Sequence, residues 1–276
     1  MNPLRRTSEK GKFDSVRPVS VGRDDTPFLA RAPHVRSYSQ PRQPGFAECA
    51  PSGRVRLDAL ACWLQDVAYA DVQDAGLERA AVWVVRRTRI HVNRFPRFGE
   101  RFALTTFCSG IGRMWAERRT DIVMAPQDGS ASEGEVTAEV ADVQAVSLWV
   151  HLDAEHWRPT PLTEGEAQMY GGMPERKVSA RLRHPVPEGL QGGAAWTFRA
   201  TECDIADHVN NAAYWQPLEE ELLAGDDPER IDVEIEYRAP AQPGLKRVVS
   251  NGRYRWIVSD GDDVHASIRV GAGDDH

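Results

Sequence analysis

Cysteine is scarce in this chain. There are four in 276 residues, Cys49, Cys62, Cys108 and Cys203, and no C-x-x-C pair among them. Neither a disulfide framework nor a zinc site is signalled, so the thiols are expected to be reduced and no metal or cofactor is implied. Long apolar runs are missing too. Nothing approaches the roughly 18 apolar residues of a membrane span, and Met1 to Phe13 holds charges but no apolar core of the kind a secretory signal requires. The chain therefore reads as cytoplasmic, with no membrane span. An excess of positive charge is absent as well: the formal net charge is −7, which argues against nucleic acid as a partner.

What is present is an ordinary globular composition, 41% hydrophobic and 27% charged. A chain of this length can hold one large domain or two small ones. Positive charge is concentrated in two places: residues 1–44 hold nine Lys/Arg against four Asp/Glu, and residues 86–119 hold nine Arg against two Glu. The first stretch is rich in Arg, Ser and Pro without an apolar period, and is expected to be a disordered basic tail. The second suits two readings equally: a surface for an acidic partner, or arginines alternating on exposed strand faces.

From Leu57 the pattern changes. Leu57, Leu60, Ala61, Leu64, Val67 and Ala68 recur at helical spacing, and Gly76 is placed to end the helix. Strand signals follow at Val82 to His91, Phe102 to Phe107, Trp115 to Val123 and within Glu135 to Leu152, with turn material at Pro126 to Gly134. A connector dense in Pro, Gly and Glu comes next, in which Glu175 to Arg183 is a candidate short element. Strand signals return at Ala195 to Cys203, a helical run covers Ala212 to Leu223, and four more strands are expected at Val233 to Tyr237, Lys246 to Ser250, Tyr254 to Val258 and Val264 to Val270. A helix followed by a run of strands, twice over, is an α+β pattern.

The second half repeats residues of the first. Glu48-Cys49 precedes Glu202-Cys203 by 154 positions, and at that offset Arg54-Val55 matches His208-Val209 and Ala59 matches Ala213; Ile90 to Gly99 precedes Ile235 to Gly244 by 145. Asp204 has Ala50 as its counterpart and His208 has Arg54, so only the second copy keeps a carboxylate. The expected division is a tail at 1–44, a first domain at 45–155, a connector at 156–194 and a second domain at 195–272.

The chemistry concentrates in Asp204 to Trp215. A carboxylate, an imidazole and two amides occupy eight residues, ahead of a helix start where free N–H groups favour negative charge. Such a set suits attack on a carbonyl: Asp204 as general base or nucleophile, His208 orienting water or substrate, and N–H groups near Val209 to Asn211 stabilising an oxyanion. Asn210 and Asn211 can add side-chain amides, or simply cap the helix. Cys203 is read as a small buried hydrophobe, Glu219 to Glu221 as a solvated face after a kink or restart at Pro217, and no tryptophan receives a role.

The run D-x-x-x-H-V-N-N-x-x-Y, with Trp83-Val84-Val85, Arg94 to Glu100 and Leu148-Trp149-Val150 upstream in the same order, resembles the acyl-acyl carrier protein (acyl-ACP) thioesterase family over roughly residues 46 to 260. The resemblance implies two tandem hotdog domains, each an antiparallel sheet wrapped around a central helix, forming a pseudo-dimer in one chain. It also implies hydrolysis of fatty acyl-ACP to free fatty acid, with Asp204 and His208 catalytic and Asn210 and Asn211 in orienting or oxyanion roles. Plant members carry Asn where this chain has Ala206, and a Glu-Cys pair where Glu236-Tyr237-Arg238 is followed by Ala239-Pro240-Ala241; only Asp204 and His208 are therefore carried over as catalytic. Rival readings are an acyl-coenzyme A thioesterase of the same fold and a non-catalytic acyl-thioester binder. A hydratase of this fold is disfavoured, because no His is followed closely by a glycine-rich helix start. Acyl chain length, carrier and further dimerisation of the fused pair are left open.

Overall fold

The helix expected from Leu57 forms over Leu57–Asp74 (α1) and buries Leu57, Leu60, Ala61, Leu64, Val67 and Ala68. Ala75 and then Gly76, at φ +72°, bring it to an end. The structure is a computed structural model that describes residues 27–76, 82–125, 141–153, 155–165, 176–225, 227–261 and 263–271. The turn expected at Pro126 to Gly134 lies outside these, as do residues 1–26 of the expected tail.

Among the described residues ten strands follow the alternating patterns: β1 Ser37–Arg42, β2 Val82–Val92, β3 Phe102–Ile111, β4 Trp115–Met124, β5 Val143–Leu152, β6 Ala194–Phe198, β7 Ile231–Tyr237, β8 Gly244–Asn251, β9 Tyr254–Val258 and β10 Val264–Val270. All lie in one sheet, in the order β1-β3-β4-β5-β2-β7-β10-β9-β8-β6, and every pairing is antiparallel. The order reads the same from either end once the halves are matched, so the seam between β2 and β7 is a pseudo-two-fold axis joining two five-stranded units. The period-2 rule sorts the seam's side chains. Ile90, Val92, Val233, Ile235 and Tyr237 belong to the main apolar core with α1, while Arg87, Arg89, Asp232, Glu234 and Glu236 form ion pairs on the opposite face.

Pro217 acts as expected. A 3-10 turn, Asn211–Trp215, precedes the second helix, Gln216–Ala224 (α2), which restarts with Pro217 in its first turn, where a missing N–H does no harm.

Three expectations need correction. The tail does not extend to residue 44, because Ser37–Arg42 forms β1 and pairs with Phe102 to Phe107 of β3. Its polar sequence with Pro41 is tolerated because it is an edge strand, with half of its backbone groups unpaired. The arginine-rich stretch is a basic surface only in part: Arg97, Arg101 and Arg113 are exposed, and the other six arginines are engaged within the protein. Arg87, Arg118 and Arg119 are buried and pair with Glu234, Asp71 and Asp121; Arg89 binds Asp232, Arg94 binds Glu100 and Asp142, and Arg86 donates to the Tyr237 and Arg238 carbonyls. Glu219 is not solvated either; it is 2% exposed.

The connector is clamped to the outer face of β7. The Arg183 and His184 N–H groups donate to the two carboxylate oxygens of Glu236, at 2.6 and 2.9 Å, and His184 Nε2 lies 3.3 Å from Glu234 Oε1. His184, Glu234 and Glu236 have the spacing of a metal-ligand set. Their oxygens are instead met by backbone N–H groups and by Arg87, Arg183 and Arg269, a cationic shell that suits carboxylates and opposes a metal ion.

Candidate functional site

The loop Asp204 to His208 is closed by its own backbone. Cys203 and Val209 face each other in an antiparallel bridge, the Asp204 N–H donates to the His208 carbonyl (3.0 Å), and the Asp207 N–H donates to the Asp204 carbonyl (3.0 Å). Asp207 sits at φ +58°, a conformation Asp tolerates better than most residues. The Ala206 N–H donates to Asp204 Oδ1 at 2.9 Å, the local bond that Asp readily makes in turns.

The first half builds the same loop without the carboxylate. Cys49 faces Val55, the Ala50 N–H donates to the Arg54 carbonyl (2.7 Å), the Gly53 N–H donates to the Ala50 carbonyl (2.8 Å), and Gly53 takes φ +86° in place of Asp207. Each loop is preceded by a 3-10 turn, Phe46–Glu48 and Ala200–Glu202. Each is tied to the turn after the long strand of its own half, by Val55 N–H to Pro96 and Val209 N–H to Ala241. Cys203 thus has Cys49 as its structural twin, which fits a packing role.

Asp204 is bound through both oxygens, Oδ1 by Ala206 and Oδ2 by Asn210 Nδ2 at 3.1 Å. The Asn210 amide can face only one way. Its Oδ1 accepts from the Ala212 N–H (2.8 Å), so the helix cap itself turns Nδ2 toward the carboxylate. Gln65, from α1 of the other half, completes the group: Gln65 Nε2 donates to Asn210 Oδ1 (3.1 Å), and Asn210 Nδ2 lies 3.4 Å from Gln65 Oε1. Gln65 carried no signal in the sequence, since it stands 145 residues from its partner inside an ordinary amphipathic helix.

The expected oxyanion donors narrow to one. The Val209 and Asn210 N–H groups are committed to the Ala241 and Glu202 carbonyls, and those of Ala212 and Ala213 to Asn210. Among the described residues the Asn211 N–H has no partner, and it opens the 3-10 turn, where the helix dipole is positive. The Asn211 carbonyl accepts from the Tyr237 hydroxyl (2.9 Å), and the Tyr214 hydroxyl accepts from the Ala241 N–H (2.8 Å). These two bonds hold the turn onto the sheet. Burial, ahead of the nearby Asp204 charge, pushes the Tyr214 hydroxyl pKa up to about 12, so it stays neutral. His208 is half-buried, and its ring makes no hydrogen bond to another described residue. A small pocket lies beside Gln65 and Asn211, lined also by Thr88, Ser147 and mostly apolar neighbours such as Leu64, Val85 and Trp149.

Two helix-wrapping five-stranded units in one chain, with a polar loop in one of them reached by the helix of the other, define a double hotdog fold. Residues 43–170 match the acyl-ACP thioesterase N-terminal domain. An acyl-ACP thioesterase from Bacteroides thetaiotaomicron has the same fold, with a TM-score of 0.66 at 20% identity over 86% of this chain and 97% of that one. So does a 12:0-ACP thioesterase from Umbellularia californica, with a TM-score of 0.64 at 16% identity over 85% and 96%. An uncharacterized protein of Mycobacterium tuberculosis is 25% identical over 225 residues, 78% of this chain and 83% of that protein.

Proposed function

We propose that the chain hydrolyses acyl thioesters carried by acyl carrier protein or coenzyme A, with one active site, at the Asp204 loop. The observation that carries this reading is the Asp204–Asn210–Gln65 chain of hydrogen bonds at the edge of a cavity. It holds a carboxylate in one orientation, and its Gln65 end reaches the wall of the pocket. The thioester oxygen lies against the Asn211 N–H, which stabilises the charge that develops there; a single donor of this kind is worth on the order of 100-fold or more. Asp204 either takes a proton from the attacking water or attacks the carbonyl carbon itself. In both cases the tetrahedral intermediate collapses by breaking the C–S bond and releasing the thiol. His208 orients the water or the leaving group.

The boundaries near residues 155 and 195 are part of this proposal: the first domain supplies Gln65 and the cavity wall, the second supplies the carboxylate. Because the arginines of residues 86–119 are largely used inside the protein, they are not offered as the carrier's docking surface. Either carrier is a cytoplasmic thioester, which suits the absence, among the described residues, of a helix long and apolar enough to cross a membrane.

The test is thiol release from a panel of acyl-ACP and acyl-coenzyme A esters by the wild type and by Asp204→Asn. Turnover that falls about 100-fold or more in a folded variant supports the site. Stoichiometric ester binding with no turnover by either protein overturns it in favour of a binding module.

A further inference from the structure

The turn that carries the Asp204 loop lacks the clamp its twin has. In the first half the turn after β2, Arg94 to Glu100, is closed by charge. Arg94 Nε donates to Asp142 Oδ1 at 2.7 Å, and its Nη1 donates to the two Glu100 oxygens at 2.9 and 3.0 Å. The offset of 145 sets Ala239 in the place of Arg94 and Leu245 in the place of Glu100. Backbone bonds identify the third member. The Asn93 and Arg94 N–H groups donate to the Asp142 carbonyl (2.9 and 3.1 Å), and the Arg238 and Ala239 N–H groups donate to the His265 carbonyl (2.8 and 3.3 Å). His265 therefore stands where Asp142 stands, and an ion cluster has become an alanine, a leucine and an imidazole.

The imidazole is left without partners. It is 9% exposed, it sits at the irregularity in the β10–β9 pairing, and neither ring nitrogen has a hydrogen-bond partner among the described residues. The Ala239 and Pro240 carbonyls of the turn attract a charged ring without reaching hydrogen-bond geometry. Lys246 on β8, itself buried and bonded to the Leu245 carbonyl (3.3 Å), repels it, and Asp263, exposed ahead of β10, attracts it least. On β7, Arg238 and Glu236 turn away to the outer face, toward His184. Burial outweighs the attractions, and the ring's pKa lies below its ordinary 6.5.

The turn links this ring to the Asp204 loop. The Ala241 carbonyl accepts from the Val209 N–H (3.0 Å), the Ala241 N–H donates to the Tyr214 hydroxyl (2.8 Å), and Gln242 Nε2 donates to the Asp207 carbonyl (2.9 Å). A buried ring that gains a proton is relieved by reaching water. The turn beside it, with no counterpart of the Arg94 ion pairs, is the element that gives way.

We propose that His265 is a pH-sensitive catch on the Asp204 loop: neutral, it leaves the turn from Ala239 to Gly244 closed, and protonated, it opens that turn and the bonds to Asp207, Val209 and Tyr214. The first half, clamped by Arg94, has no such response. Because the closed form disfavours the proton, its stability is full above the ring's ordinary 6.5 and is lost as pH falls from there through the lowered value. The inference rests on the thioester-hydrolase reading only for its consequence, acid control of turnover at Asp204.

Amide hydrogen exchange of the full chain at about pH 7.5 and about pH 5.5, corrected for the intrinsic pH dependence of exchange, tests the catch. A hydrated ring is protonated roughly ten to one at the lower pH, so opening rises by at most about 10-fold. The expected result is that protection over residues 203–209 and 238–244 falls by about 3- to 10-fold, that residues 49–55 and 93–100 keep theirs, and that His265→Asn removes the fall. Ala239→Arg/His265→Asp, which copies the pair already present in the first half, should remove it too. Equal protection at both pH values, the same fall in both halves, or a fall that survives His265→Asn overturns the inference. The wild-type comparison of the two halves decides even where a variant fails to fold. Absence of thiol release from every ester tried at either pH overturns the hydrolase reading instead, and the exchange result stands apart from it.

Discussion

Gln65 and Glu219 occupy equivalent positions in the two halves, 154 residues apart, and each reaches across the pseudo-two-fold axis to the loop of the other half. Gln65 meets Asn210, which holds Asp204. Glu219 forms a 2.9 Å ion pair with Arg54, the residue in the place of His208, and accepts from the Leu57 N–H (2.9 Å) at the start of α1. One cross-axis contact serves the Asp204 loop; its twin has become a buried structural tie.

Removing the amide at Gln65 is expected to lower kcat more than it raises KM, because Asn210 would lose the partner that steadies it against Asp204. Gln65→Leu should lose about 10-fold in kcat, a loss typical of a positioning defect and smaller than removal of a catalytic group. Gln65→Glu adds a test that a structural role would not meet: an ionised carboxylate beside Asn210 puts a second anion next to Asp204, so its activity should recover as pH falls toward 5. A pH profile of kcat parallel to that of the wild type would sink the assignment.

The Arg54 guanidinium is 1% exposed, stacks 4.7 Å over the Phe95 ring and also binds Asp227. Arg54→Met leaves Glu219 buried with an uncompensated charge, which costs about 3–5 kcal/mol in comparable sites. Glu219→Gln on top of it should restore part of that loss, since the amide can still accept from the Leu57 N–H. Urea unfolding of the three proteins checks this; a single variant as stable as the wild type contradicts it.

Most of the architecture was legible because it is written in local periods. The apolar spacing of α1 and the alternation at Tyr254–Val258 and Val264–Val270 report the face each residue presents, whatever it meets. What escaped the sequence depends on partners far along the chain. Arg87 looks like surface charge until Glu234 is set beside it, and Glu219 looks solvated until Arg54 is. β1 escaped for a different reason: an edge strand has only one neighbour and needs no continuous apolar face. At the site, a hydrogen bond joins Asp204 and Asn210, while the His208 ring makes none to another described residue. Gln65 did not stand out, because nothing local distinguishes it from a solvated helix position.

Glu234 makes acid stability testable. Burial alone would raise its pKa; the His184 hydrogen bond and the charges of Arg183, His184 and Arg87 overcome that and hold it down at about 2, from an ordinary 4.5. Arg269 and Glu236 complete the surrounding charges. A carboxylate depressed in the folded state contributes stability that is present above its unfolded pKa and lost as pH falls through the folded one, here from about 4.5 to about 2. The contribution is roughly 3 kcal/mol at neutral pH. Glu234→Gln should therefore be less stable than the wild type at pH 7, with the gap closing as pH approaches 2. A gap independent of pH would show that packing, not charge, carries the residue.

The same symmetry that explains Glu219 predicts that the proposed active site cannot be copied into the first half by its two obvious residues. Ala50→Asp/Arg54→His would rebuild the Asp204 and His208 pair in a loop whose backbone already matches, down to the bond between residues 50 and 54. Yet the residue in the place of Asn210 is Arg56, whose guanidinium is held by Asp58, and the residue in the place of Gln65 is Glu219, a carboxylate. The new aspartate would face a buried anion with no amide between them, which raises its pKa and leaves it protonated and inert. Removing Arg54 would also strand Glu219. The expected outcome is a less stable protein with unchanged turnover per chain, and no residual activity when Asp204→Asn is added. Adding Arg56→Asn and Glu219→Gln supplies the missing amides, so thiol release from that protein in the Asp204→Asn background is the measurement that decides whether the cross-axis amide pair, as well as the carboxylate, makes the site.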